Sequence, residues 1–68
     1  MEKQRPGLLD GEKIIVLQGR GAARMPHLCD QFGPKEFLTK REAMRTAARL
    51  NGIPYLGPRR MWLIRFEF

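Results

Sequence analysis

The 68-residue chain contains no serine, a single cysteine (Cys29) and a single histidine (His27). Without serine, a Ser-His-Asp nucleophile cannot be assembled. One cysteine closes no disulfide within the chain, and one cysteine with one histidine falls short of the four ligands of a structural zinc site. His27-Leu28-Cys29 leaves one nucleophilic arrangement open, a Cys29 thiolate with His27 as base, because residues i and i+2 of a strand share a side. No third residue stands out to orient such a base, so the chain reads as a non-enzyme. Long apolar runs are also missing: Ile14-Ile15-Val16-Leu17 is far shorter than the ~20 residues of a membrane helix, and no basic segment followed by an apolar one opens the sequence. A cytoplasmic protein without a membrane partner is expected. Internal repeats and low-complexity tracts are lacking too, which disfavours solenoids and disordered polyelectrolytes.

Acidic residues are scarce: seven Asp and Glu face thirteen Lys and Arg, a formal charge of +6, and nine of the thirteen are arginine. Solubility needs only charge, whereas guanidinium adds planar, bidentate bonding to phosphate, carboxylate and guanine edges. An anionic partner is the leading inference from composition. A chain this small has one domain and no interior wide enough for an enclosed small-molecule site, so no cofactor is expected.

Residues 1–12 are mostly polar and interrupted by Arg5-Pro6-Gly7 and Asp10-Gly11, and read as a flexible N-terminal arm. Residues 13–68 read as a single small α+β domain. Within it, residues 13–18 are β-branched and apolar on both faces, which suits a strand in the middle of a sheet. Gly19-Arg20-Gly21 permits a tight reversal carrying Arg20 and Arg24. It resembles half of a phosphate-binding loop, but neither the third glycine nor a Walker lysine follows. Pro26 lacks an amide donor, so residues 25–32 read as a ragged edge strand. Gly33-Pro34 marks a turn, after which Phe37-Leu38 brings the chain back to the core.

Thr39-Lys40-Arg41-Glu42 matches the capping box, with Leu38 placed to pack on Ala43 as a hydrophobic staple. Good helix formers run on to Leu50, and Asn51-Gly52 supplies a left-handed stop. At 100° per residue Ala43, Ala47 and Leu50 share one face, while Arg41, Arg45 and Arg49 share the other. In the last eight residues Trp62, Ile64, Phe66 and Phe68 alternate, as in a strand with one face in the core. The expected fold is therefore α+β, a small, mostly antiparallel three-stranded sheet packed against one helix at about residues 39–51.

The residues singled out for binding are basic, with one aromatic: the helix stripe Arg41, Arg45 and Arg49, the turn pair Arg59 and Arg60, the first-loop pair Arg20 and Arg24, and Tyr55 as a stacking group. Arginines at i, i+4 repel one another, so an unpaired stripe points to something outside the chain that pairs it. Lys35-Glu36-Phe37 leading into the helix resembles the sheet-to-helix junction of arm-type integrase DNA-binding domains. Residues 52–65, with Arg59-Arg60 before Met61-Trp62-Leu63-Ile64, resemble the basic wing of excisionase-type winged-helix proteins, although no second, recognition helix is present to match. The two resemblances imply different folds, and no family is assigned on them.

Two functions are expected to compete. The first is a small basic nucleic-acid-binding accessory or regulatory protein, DNA ahead of RNA, of phage or mobile-element origin. The alternative is a non-enzymatic, phage-type inhibitor or adaptor that docks its arginine-rich surface on an acidic host protein or nucleoprotein machine. Both use the same side chains.

Overall fold

The helix forms where its local signals are strongest. The computed structural model describes residues 7–67, and in it α1 spans Lys40–Leu50 with Thr39 as N-cap in an extended conformation. The Thr39 hydroxyl accepts the Glu42 amide at 3.2 Å and donates to the Glu42 carboxylate at 3.0 Å, so the capping box closes through the side chains. At the other end Asn51 is left-handed (φ 59°, ψ 42°) and the Gly52 amide donates to the Ala47 carbonyl at 2.8 Å. A Cβ on Gly52 would lie 2.6 Å from Ile64 Cγ2, so only glycine lets the chain turn this closely over the core.

Among the described residues five strands accompany the helix: β1 (Lys13–Val16), β2 (Pro26–Asp30), β3 (Gly33–Pro34), β4 (Ile53–Leu56) and β5 (Trp62–Arg65). Every pairing is antiparallel and the order is β1-β2-β5-β4, with β3 also paired to β2. The fold is α+β as expected, with five strands where the sequence suggested three. The β3 segment hides in a Gly-Pro turn signal and pairs over two residues only. The β4 segment hides behind Pro54, which its place at the edge of the sheet makes tolerable.

The first two strands exchange the places expected of them. The β1 strand, apolar on both faces, is an edge strand, whereas β2 lies between β1 and β3/β5 and is almost wholly buried. Pro26 is compatible with that centre because it is the first residue of β2, where its carbonyl accepts the Phe66 amide at 2.8 Å.

Leu28, Ala47, Leu50, Ile64 and Phe66 form the core between the helix and one face of the sheet, with Leu8, Ile14 and Phe37 packed at its margin. Ala43 and Ala47 allow the close approach the sequence suggested. Leu38 does not act as a staple: it is 75% exposed, because Phe37 pairs with Trp62 in an isolated bridge and so points its neighbour outward. Phe68 and residues 1–6 of the expected arm lie outside the described residues. Residues 7–12 carry Leu8 against the core and a buried Glu12. No helix among the described residues is long and apolar enough to cross a membrane.

Candidate functional site

Antiparallel connectivity sorts the basic residues into two ends. Since α1 runs into β4 and β4 turns into β5, the helix N-terminus lies at the same end as the β4–β5 turn. Lys40 Nζ sits 5.7 Å from the centre of the Trp62 ring, at the base of that turn. Arg59 and Arg60 form its tip, and Arg41 and Arg45 lie on the exposed side of the helix above it. Arg20 and Arg24 occupy the β1–β2 connection, which the pairing of His27 with Arg65 puts at the opposite end. All six of these arginines are exposed, and the ion pairs among the described residues use other cations: Lys35, Arg49 and Arg65.

The turn has an unusual conformation. The Gly57 amide donates to the Met61 carbonyl at 2.8 Å, and the Arg60 amide donates back to the Gly57 carbonyl at 3.1 Å. Arg60 has φ 59°, the left-handed region that glycine normally fills at the bulge closing such a hairpin. A side chain there costs about 1 kcal/mol relative to glycine. Lys40 and Arg41 face a second penalty, because cations in the first helical turn oppose the positive end of the helix dipole. Glu36, Glu42 and Asp30, the last residue of β2, lie at this end and are fewer than its cations, so positive charge stays in excess.

Arg49 leaves the expected stripe. Its guanidinium bonds the Gly7 carbonyl and both oxygens of Glu12, at 3.2 and 3.3 Å. Lys35 bonds the same carboxylate at 2.8 Å and the Leu9 amide donates to it at 2.8 Å. Burial pushes the Glu12 carboxyl up, but the Leu9 amide, Lys35 and Arg49 outweigh it and hold the group down at about 2. Arg49 thus fastens residues 7–12 to the helix and the sheet.

Tyr55 is not a free stacking platform. Its hydroxyl lies 2.6 Å from His27 Nε2, and the two rings meet edge to face at 5.6 Å. His27 Nδ1 lies 2.6 Å from the Met25 carbonyl, an acceptor only, so Nδ1 carries the proton and Nε2 accepts from Tyr55. Burial pushes the Tyr55 hydroxyl up, partly countered by Arg65, and keeps it a neutral donor. With both ring nitrogens engaged, His27 is not turned towards Cys29, whose thiol donates to the His27 carbonyl at 3.5 Å. Burial and the nearby Asp30 push that thiol up, away from the thiolate. Among the described residues no group of three or more His, Cys, Asp or Glu is placed to hold a metal ion.

Three features were not marked by the sequence reading. Lys40 joins the basic end, and only its place one residue after the N-cap hints at this. A shallow groove of about 310 Å³, lined by Phe32, Pro34, Glu36, Pro58, Arg59 and Met61 among others, adjoins the turn. Phe32 is 87% exposed, and an aromatic set directly before a Gly-Pro turn is the signal that could have found it. No protein-family model, no curated protein and no solved structure matches the chain.

Proposed function

We propose that the protein binds nucleic acid, duplex DNA before RNA, by gripping the phosphate backbone with the end that carries Lys40, Arg41, Arg45, Arg59 and Arg60. The observation that carries this reading is Arg60, held left-handed at the hairpin tip beside Arg59, where glycine would fold more easily. An outlier of this kind is retained where the side chain is needed. Arg41 and Arg45 support the same reading, since each opposes the other at i, i+4 and neither has an ion-pair partner among the described residues. A polyanion relieves that repulsion and the unfavourable place of Arg41 at the helix N-terminus, and guanidinium suits phosphate through its fixed fork of donors. Backbone contacts of this type fix position on a duplex and carry no sequence information.

A protein partner is the second reading, favoured by Phe32 and the groove beside Arg59. Binding of labelled duplex DNA at low salt separates the two. The Arg59→Gln/Arg60→Gln double variant should bind more weakly than the parent, and Phe32→Ala should bind equally well. Loss of a single stoichiometric protein partner by Phe32→Ala, with no DNA binding by the parent, would favour the second reading instead.

A further inference from the structure

The two edges of the sheet differ. On β4 the Gly57 amide bonds back to Met61, so Ile53 and Tyr55 turn their backbone groups towards β5, while Pro54 and Leu56 face outward. Pro54 has no amide hydrogen, which leaves that edge one donor, at Leu56. Among the described residues the β1 edge has no such protection. The carbonyls of Pro26 and Leu28 accept from Phe66 and Lys35, so those residues face away from β1, and His27 and Cys29 bond to Ile15 and Lys13. Ile14 and Val16 are therefore left with both amide and carbonyl pointing off the sheet. Beside them Ile15 is 43% exposed and Val16 63% exposed, one on each face of the sheet.

We infer that β1 is a docking edge for a second copy of the same chain, which pairs with it antiparallel about a two-fold axis at Ile15. In that register Ile14 of each copy faces Val16 of the other. Each of these two pairs exchanges both of its hydrogen bonds, four in all. Ile15 meets its own equivalent in the closer, non-hydrogen-bonded position, with side chains in contact on the helix-free face. Lys13 faces Leu17 of the other copy, so no charge opposes a like charge across the axis. The edge is thus self-complementary in hydrogen bonding, in apolar contact and in charge, which is what a two-fold interface requires of a single strand. The paired sheets become one continuous sheet that ends at each side on a Pro54-blocked strand. The inference is independent of nucleic-acid binding, because the basic hairpin tip belongs to the other end of β5.

Sedimentation equilibrium of the full chain, up to about 1 mM, where even weak specific association populates a complex, is the test. The expected result is a rise from 7.9 kDa to twice that mass, favoured by added salt because salt screens the net charge of each copy. Amide exchange followed by NMR at the same concentrations should show Ile14 and Val16 becoming protected together, with Leu56 exchanging freely throughout. Val16→Pro, which removes an outward amide at an edge as Pro54 does, and Ile15→Lys, which sets like charges against each other, should each weaken association at least tenfold while melting as the parent does. Leu56→Lys on the other edge should leave it unchanged. A chain that stays at 7.9 kDa at every concentration and salt, or a dimer in which the Ile14 and Val16 amides remain unprotected, would overturn the inference.

Discussion

The Tyr55 hydroxyl donates to His27 Nε2 at 2.6 Å across the face of β5, tying the edge strand β4 to the central strand β2. His27 is fully buried, and its other ring nitrogen is already spent on Met25. Tyr55→Phe keeps the ring and removes the donor to that nitrogen. The expected cost is about 1–3 kcal/mol, that of a buried acceptor left unsatisfied, read as a lowered urea midpoint. An unchanged midpoint would mean that the bond contributes nothing to the fold.

Glu12 sets the acid limb of stability. Its carboxyl is held at about 2 in the folded chain, against 4.5 for the free group. A depressed carboxylate contributes its full stabilisation above the unfolded value, and loses it as pH falls from about 5 towards 2. At 1.36 kcal/mol per pH unit the contribution is on the order of 3 kcal/mol. Glu12→Gln should lower stability at pH 7 and flatten the profile between pH 5 and 2. A variant with the parent's full acid limb would move that role to another carboxylate.

Thr39→Ala removes the hydroxyl that accepts the Glu42 amide and should cost about 1 kcal/mol. The thermal midpoint checks it, and an unshifted midpoint would mean that helix formation does not rely on this cap.

The helix was legible in the sequence because its signals are local: the cap, the alanine face and the Asn51-Gly52 stop lie within fourteen residues, 39 to 52. Strand order was not legible. Apolarity on both faces suited residues 13–18 to a central place, but which strand lies in the middle depends on what pairs with it, and Phe66 reaches Pro26 of β2 from the far end of the chain. The basic residues were visible as types, but not their allocation. Arg49 looks the same as Arg45 in the helical pattern, yet its partner Glu12 lies 37 positions away. Tyr55 reads as a stacking group for the same reason, its partner His27 being 28 positions distant.

Arg60→Gly separates stability from binding. Glycine suits the left-handed position, so the variant should unfold at a temperature equal to or above the parent's, with a gain of up to about 1 kcal/mol. Its affinity for duplex DNA should fall. A variant that is more stable and binds as tightly would show that Arg60 is not held there for a ligand.

The salt dependence of DNA binding tests the central claim most directly. Four or five phosphate contacts give a log–log slope near −4, at about −0.9 for each phosphate neutralised on duplex DNA. The Arg59→Gln/Arg60→Gln variant should reduce the slope by about 2. The Arg20→Gln/Arg24→Gln variant, altered at the opposite end, should keep the parent's slope. No binding of the parent to DNA or RNA at low salt, or an equal loss of slope from both pairs, would contradict the account.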